Sequence, residues 1–295
     1  MYFLVMANLK MNKMKKFTII FLLILSSFNL LAGGGWNKKK GKGFFKLSQY
    51  AIIADQYFNP EGNIIRVNPG TAFYSTALFG EYGLTDKITT ELYFPFFTRS
   101  VLNNLQTRGV DQQVVEGDQV SGIGDTNISF KYGIKQKGAT VVSAKLTFGI
   151  PFGNPAGGGG GTLQTGDGEF NQMLSVDVGH SFYPAPFYAN VSVGINNRTK
   201  GFSEEFRYAV EAGLTLKKFV VIGRIIGIES LMNGDPTESE AQGVFANNLE
   251  FLSFMPEVIY KIKENYGFSA AVGTAFSGRQ VLASPSYEVG FFLEI

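Results

Sequence analysis

The residues best suited to chemistry are a single histidine and the serine beside it. His180 and Ser181 have the side chains of a base and a nucleophile, the pair that a hydrolase needs. Neighbouring residues of a strand point to opposite faces of a sheet, however, so these two side chains are kept apart. One histidine and no cysteine in 295 residues also argue against a zinc site. The sequence therefore predicts no catalytic centre, no metal and no cofactor, and the chain is not expected to be an enzyme.

A glycine-rich segment at 153–171 is the second candidate for a binding site. Five consecutive glycines, 157–161, precede the sequence Gly-Asp-Gly-Glu at 166–169. A phosphate-binding loop would need Lys and Ser or Thr followed by a helix, and both are missing here. Calcium-binding glycine repeats occur in tandem arrays, whereas this chain has one such cluster. We interpret the segment as a flexible external loop in which Asp167 and Glu169 are candidate contacts for an ion or a ligand.

The segments that flank this loop alternate apolar and polar residues, which is typical of strands. In "TVVSAKLTFGI" (140–150) the apolar side chains fall on every second position, and "DTNISFKYGI", "FRYAVEAGLTL" and "YEVGFFLEI" follow the same rule. The pattern is ambiguous near 219–230 and 246–262, where Glu250 and Glu257 fall on opposite faces. A bulge between these two residues would bring them to the same face.

Strand length and connection length distinguish a membrane barrel from a soluble sandwich. The alternating runs extend over about ten residues, enough for a tilted strand to cross a bilayer, and their polar face is mostly Gly, Ser, Thr and Asn. Tight turns and long segments alternate as in outer-membrane barrels, whose short turns are periplasmic and whose long loops are external. The sequence thus predicts an all-β, antiparallel transmembrane β-barrel of about twelve strands, with both chain ends on the periplasmic side. The expected turns are 83–88, 135–138, 183–186, 217–218 and 263–265, and the expected loops are 59–70, 99–122, 151–170, 199–204, 232–245 and 278–284.

Seven charged residues are expected on the inner face of this barrel. Either they brace the barrel as a network in the lumen, or they line the path of a charged solute. Counted from the turn at 135–138, Lys131 and Lys145 lie at different heights. Each is therefore expected to have its own acidic partner, with Glu91 and Asp177 the nearest in strand order. The seven residues are Glu91, Lys131, Lys145, Asp177, Arg198, Arg207 and Glu211.

Residues 1–32 have the features of a secretory signal peptide that is removed. Lysines precede an apolar run, "FTIIFLLILSSFNLLA", which ends in a small residue, Ala32. Its removal takes four of the 26 basic residues and none of the 24 acidic ones, so 22 basic and 24 acidic residues remain. That balance gives no reason to expect nucleic acid as a partner. The sequence then predicts a basic Gly/Lys tail at 33–43, which we expect to be solvated, and the barrel at 44–295.

Three stretches together resemble a known family of outer-membrane transporters. They are "GIGDTNISFKYGI" (122–134), "SAKLTFGIPFGNP" (143–155) and "VDVGHSF" (176–182), with the glycine-rich loop between the last two. Here the chain is similar to outer-membrane proteins grouped as transporters of the phenol meta-degradation pathway, which are related in architecture to long-chain fatty-acid and aromatic-hydrocarbon channels. The resemblance implies passage of small hydrophobic compounds and assigns no binding residue. In place of a long plug domain the chain has the tail 33–43, which would form at most a short hatch.

These observations favour a passive channel in the outer membrane of a Gram-negative bacterium. The expected solute is small and apolar or aromatic, and the other expected partners are outer-membrane lipid and the barrel-assembly machinery. The alternative is a structural or surface-contact barrel with a closed lumen, and an outer-membrane enzyme ranks third. A lumen filled by side chains would favour the structural barrel, whereas an open lumen would favour transport.

Overall fold

Twelve long antiparallel strands close into a barrel in the computed structural model, which describes residues 34–106, 114–235 and 244–295. The strands are β1 (Gly43–Phe58), β2 (Ile64–Gly83), β3 (Ile88–Leu102), β4 (Thr126–Lys135), β5 (Thr140–Ile150), β6 (Asn171–Ser181), β7 (Phe187–Arg198), β8 (Glu205–Leu216), β9 (Phe219–Ser230), β10 (Glu250–Lys263), β11 (Tyr266–Arg279) and β12 (Ser286–Glu294). Each strand pairs with its neighbours along the chain, and β1 also pairs with β12, which closes the sheet. The predicted all-β barrel is confirmed. The predicted signal peptide at 1–32 lies outside the described residues.

Alternate apolar side chains point out of the barrel, where lipid would lie. Phe130, Leu146 and Val210 are 45%, 39% and 43% exposed on the outer face of β4, β5 and β8. Ser129 and Thr147, the neighbours of the first two, are buried inside, and their hydroxyls hydrogen-bond to each other at 2.9 Å. The alternation that predicts strands therefore also separates a lipid-facing surface from the lumen. Within the described residues, no helix has the length and apolar character to cross a membrane.

The connections are short at one end of the barrel and mostly long at the other. We call these the short-turn end and the long-loop end. One prediction was wrong, because the first hairpin turns within 59–63, which is no longer than the turn at 182–186. The residues expected to extend that loop instead continue β2 as one strand from Ile64 to Gly83. Four short strands lie in the connections of the long-loop end, at Leu105–Gln106, Val114–Val115, Asp118–Gly122 and Val281–Leu282.

The register of the β4–β5 hairpin corrects the predicted heights of two lysines. Lys131 pairs directly with Lys145, so the two lie at the same level of the barrel wall. The turn occupies 136–139 rather than 135–138, and the register shifts by one residue between Gly133 and Lys135. A small change in turn position and one bulge are enough to move a strand past its neighbour by several residues.

The predicted bulge in β10 is also wrong. β9 and β10 pair without interruption, so Glu250 and Glu257 remain on opposite faces of the strand. Glu257 is buried in the lumen, whereas Glu250 lies near the long-loop end, 3.3 Å from Arg279 of β11. The nearby register shift is in the pairing of β10 with β11, where Phe276 has no partner across the ladder.

The hydrogen-bond ladder between β3 and β4 is interrupted near Pro95. Pairing of the two strands ends at Tyr93, and further along β3 pairs with the short strand Asp118–Gly122 instead. Proline has no N–H to donate, but the Pro95 carbonyl accepts a hydrogen bond from the Gly124 N–H at 2.8 Å. The chain enters β4 at this point, which places Asp125 at the long-loop end of the wall.

Candidate functional site in the barrel lumen

Three lysines and three carboxylates form an ion-pair network inside the short-turn end, which we call the first network. The fully buried Lys131 ammonium lies 2.8 Å from Glu91 and 3.2 Å from Glu81. Lys145 lies 3.2 Å from Glu91 and 3.8 Å from Asp177. Four of the predicted inner-face residues therefore meet in one cluster. The network consists of Lys38, Lys131, Lys145, Glu81, Glu91 and Asp177.

The first network explains how two lysines tolerate directly opposite positions. Like charges that face each other across two strands destabilise a sheet. Glu91 of β3 bonds to both Lys131 and Lys145, so its negative charge offsets the repulsion between the two ammonium groups. Separate acidic partners were expected, and each lysine has one, Glu81 for Lys131 and Asp177 for Lys145, but Glu91 is shared between the two. With three positive and three negative side chains, the cluster has no net charge.

A second network crosses the lumen from β1 to β8. Lys46 of β1 lies 2.8 Å from Glu257 and 2.5 Å from Glu288. Arg224 of β9 lies 2.6 Å from Glu257 and also contacts Glu211 of β8. Only Glu211 was predicted from the sequence, and the other four residues of the second network were missed. These bonds connect five strands across the inside of the barrel.

Residues 34–42, which we call the inserted segment, lie inside the short-turn end of the lumen. The Trp36 ring packs edge-on against Tyr188 of β7, with ring centres 5.8 Å apart. Lys38 lies 3.5 Å from Glu81 and so joins the first network. The expectation that this basic tail is solvated was therefore wrong for residues 34–38, whereas Lys39, Lys40 and Lys42 are exposed as expected. Lumen carboxylates and aromatic rings provide it with partners that the tail sequence does not reveal.

Side chains of the barrel wall hold the backbone of the inserted segment. The Gly35 N–H donates to Asn190 Oδ1 at 2.9 Å, and the Gly35 carbonyl accepts from the Ser143 hydroxyl at 2.7 Å. The Asn37 N–H donates to Gln136 Oε1 at 2.9 Å. These are individual side-chain contacts rather than a continuous strand ladder. Such bonds can be broken without opening the barrel wall.

Beyond the two networks, towards the long-loop end, part of the inner wall is apolar. Ile52, Ala54 and Leu282 are buried together, and Phe73 packs against them. The ring of Phe245, in the β9–β10 connection, lies 5.8 Å from the Phe73 ring. We call this surface the inner apolar patch. It gives the lumen an apolar region beside its charged networks, with side chains that pack on one another.

Arg198, at the end of β7, gathers carboxylates at the long-loop end. Its guanidinium lies 2.9 Å from Glu169, 3.0 Å from Glu205 and 3.3 Å from Asp167. Arg207 of β8 adds a 2.5 Å contact to Glu205. The two predicted loop residues, Asp167 and Glu169, thus bond to Arg198, which was predicted for the lumen, and Arg207 joins them through Glu205. We call these five residues the mouth cluster.

The glycine-rich segment folds back onto the long-loop end of the barrel. Leu163 and Thr165 are buried. The carboxylate of Asp118 accepts hydrogen bonds from the N–H groups of Gly159 and Gly160, each at 3.0 Å. These bonds stabilise the ionised carboxylate and lower the pKa of Asp118. The segment is thus fixed at its tip as well as at its base.

Asp125 holds both ends of the same segment. Its two carboxylate oxygens accept from the N–H groups of Gly153 and Asp167, each at 2.8 Å. Burial and the charge of Asp125 raise the pKa of Asp167 to about 7, and burial also raises the pKa of Asp125. Burial, followed by the charge of Asp167, raises the pKa of Glu169. Asp125 was not identified from the sequence, in which nothing links it to a loop some forty residues away.

His180 lies near the short-turn end, away from these clusters. Its Nδ1 is 2.7 Å from the Thr140 hydroxyl, and its ring lies 4.6 Å from the Phe182 ring. In the described parts of the chain, no group of three or more potential ligands is placed to hold a metal ion.

Solved structures of other proteins share the fold of this barrel. No protein-family model matches the sequence, and no curated protein matches it. The structure is similar to the COG4313 outer membrane channel from Pseudomonas putida F1, with a TM-score of 0.60 and 10% identity, covering 90% of this chain and 100% of that chain. The chain has the fold of outer-membrane channels. The NanC porin is also similar, with a TM-score of 0.53 and 7% identity, covering 85% of this chain and 100% of that chain. At these identities the likeness concerns the fold alone.

Proposed function

We propose that this protein is a passive outer-membrane channel for a small apolar or aromatic solute. The observation that carries the proposal is the inner apolar patch, which lies between the charged networks and the long-loop end. Ile52 and Phe73 make this part of the inner wall apolar, whereas the interior of a porin for polar solutes is polar. The two similar solved structures are both outer-membrane proteins, one described as a channel and one as a porin.

In this proposal the short-turn end faces the periplasm and the long-loop end faces outward, as in other outer-membrane barrels. Lipid covers the apolar outer face, and the barrel-assembly machinery inserts the chain. The sequence resemblance to transporters of the phenol meta-degradation pathway agrees with an aromatic solute.

The inserted segment is the part that must move for solute to pass. It occupies the short-turn end together with the first network, where Lys131 is fully buried. Its backbone is held by side chains such as Asn190 of the wall and Gln136 of the turn at 136–139, and by backbone bonds between residues 41–42 and Gly83. Displacement of the segment therefore costs a few hydrogen bonds and ion pairs, each worth about 1–3 kcal/mol. Removal of a wall strand would instead expose a complete ladder to lipid.

One observation favours a second candidate, the structural barrel with a closed lumen. Two ion networks and the inserted segment fill the lumen from the short-turn end upward. If the segment never leaves, the barrel conducts nothing and its surface loops become its functional part.

Flux measurements on the refolded protein separate the two candidates. Ionic conductance is measured in planar bilayers, and uptake of a labelled small aromatic compound is measured in liposomes. We expect aromatic uptake with low conductance for the natural sequence, and higher conductance for the double variant Trp36→Ala/Lys38→Met. The matched control is Lys39→Met/Lys40→Met, which alters two exposed lysines of the same segment and should leave conductance unchanged.

Phe73→Asn tests the inner apolar patch and should reduce aromatic uptake. When Phe73→Asn is combined with Trp36→Ala/Lys38→Met, the conductance should stay as high as in Trp36→Ala/Lys38→Met alone. Absence of both conductance and uptake in all these variants would support the closed structural barrel instead.

A further inference from the structure

The β5–β6 connection, residues 151–170, covers the long-loop end of the lumen and is fixed by carboxylates. We call it the lid. Asp125 accepts hydrogen bonds from the N–H groups of Gly153 and Asp167 and so holds the two ends of the lid together. Asp118 binds the N–H groups at its glycine tip. Both fixing residues come from the β3–β4 connection, so one neighbouring segment controls the position of the lid.

At the base of the lid, three acidic side chains bond to two basic ones. Arg198 is shared by Asp167, Glu169 and Glu205, and Arg207 bonds to Glu205. The Lys200 ammonium donates to the Gly168 carbonyl rather than to a carboxylate. The charged groups facing Asp167 from all surrounding elements are Asp125, Glu169, Arg198, Lys200, Glu205 and Arg207.

Asp125 and Asp167 form a carboxyl pair at this site. Asp125 Oδ2 accepts the backbone N–H of Asp167 at 2.8 Å, so the two carboxyl groups lie close together in the base of the lid, and two neighbouring carboxyl groups are more stable when one of them holds a proton. Asp125 already accepts two backbone N–H bonds, which favour its ionised form. The shared proton therefore belongs mainly to Asp167, and the pair titrates as one unit.

We propose that the lid is a pH-sensitive cover of the long-loop end, which closes when the Asp125–Asp167 pair holds a proton and loosens when the pair loses it. Two ionised carboxylates in contact repel each other across the joint between the lid and the β3–β4 connection. Asp167 is on the lid and Asp125 is on the wall, so the repulsion acts to separate them. This inference concerns the lid alone and holds whether or not the barrel conducts a solute.

The direction of the pH effect follows from proton binding in the two states. In the open lid the carboxyls are solvated and titrate near their usual pKa of about 4. In the closed lid the pKa of Asp167 is raised to about 7. The closed lid therefore binds more protons between these values, and rising pH shifts the equilibrium towards opening by at most tenfold per pH unit. Above about pH 7 the effect levels off.

Thiol labelling tests this directly, because the natural chain has no cysteine. Leu163→Cys places a thiol at a fully buried lid position, and Thr162→Cys places one at the adjacent exposed position. The ratio of their maleimide labelling rates removes the intrinsic pH dependence of the reagent. We expect this ratio to rise by up to about eightyfold from pH 5 to pH 8, the limit for release of one proton whose pKa is about 4 in the open lid and about 7 in the closed lid.

Asp167→Asn keeps the size of the side chain and imitates its protonated form. In this background the ratio should stay low at both pH values. Asp118→Asn is the matched control: it weakens the tip, but Asp118 is ionised throughout this range, so the ratio should rise with pH as before.

An unchanged ratio in the natural background, or the same pH dependence in Asp167→Asn, would overturn the inference. If Leu163→Cys does not fold, amide hydrogen exchange of peptides spanning 153–171 in the natural chain gives the same test. After correction for intrinsic rates, exchange should be faster at pH 8 than at pH 5, and equal protection would again overturn it.

Discussion

Replacement of Lys131 by methionine should be among the most destabilising single changes in this barrel. Lys131 is fully buried with carboxylates at 2.8 and 3.2 Å. Each contact represents a gross attraction of about 5 kcal/mol at an effective dielectric constant near 20. Repulsion from Lys145 and the cost of desolvation reduce that sum. Since Lys131→Met leaves Glu81 and Glu91 buried with too few cations, we expect a net loss of about 3–5 kcal/mol.

The charge balance of the first network gives a sharper test. Lys131→Met leaves three acidic and two basic side chains, whereas Lys131→Met/Glu81→Gln leaves two of each. The double variant should therefore lose less stability than the single one, because the uncompensated carboxylate is gone. Denaturant unfolding in detergent, followed by gel mobility without heating, measures both. Lys137→Met, at an exposed turn position, is the control and should change stability by about 0.5 kcal/mol or less. A loss for Lys131→Met no larger than this, or additive losses in the double variant, would refute the reasoning.

Two further predictions concern the wall and the inserted segment. Phe130→Arg, on the lipid face in the middle of β4, should reduce the folding stability by about 2–4 kcal/mol in a bilayer folding assay. Ile134→Arg, near the end of the same strand, should reduce it by about 0–1 kcal/mol. Equal losses would contradict the membrane position of β4. Gly179→Ala should displace the inserted segment, since its new Cβ would lie 2.5 Å from the Trp36 ring, and should shift tryptophan emission to longer wavelength. Gly223→Ala, whose Cβ meets its nearest neighbour at 3.4 Å, should leave emission unchanged, and identical spectra for both variants would argue against the insertion.

Periodicity was a sufficient guide to the wall of this barrel. In β4, β5 and β8 one face is apolar and the other carries small polar or charged residues, so each strand shows which side meets lipid. In β9 and β10 the same logic fails, because Val220, Ile222 and Ile259 are apolar residues that point inward and are buried there. With apolar residues on both faces, Arg224 and Glu257 could not be assigned to the lumen from the sequence.

Register and long-range contacts could not be predicted from sequence patterns. The pairing of Lys131 with Lys145 depends on the position of one turn and one bulge, and neither leaves a clear mark in the sequence. The inserted segment is a short run of glycine and lysine with one tryptophan and one asparagine, and its lysines suit solvent as well as a charged lumen. Its position is decided by Asn190, Ser143 and Glu81, which belong to strands far along the chain.

The position of the inserted segment has a consequence for the order of assembly. Gly35 bonds to Asn190, which is 155 residues further along the chain, so this contact forms late compared with any hairpin. β1 follows the segment directly and also forms the closing seam with β12. The segment must therefore be enclosed as the seam forms, or enter through the short-turn end afterwards. Because Trp36 is the only tryptophan, its fluorescence follows this last event separately, while the mobility of the folded band follows closure of the wall.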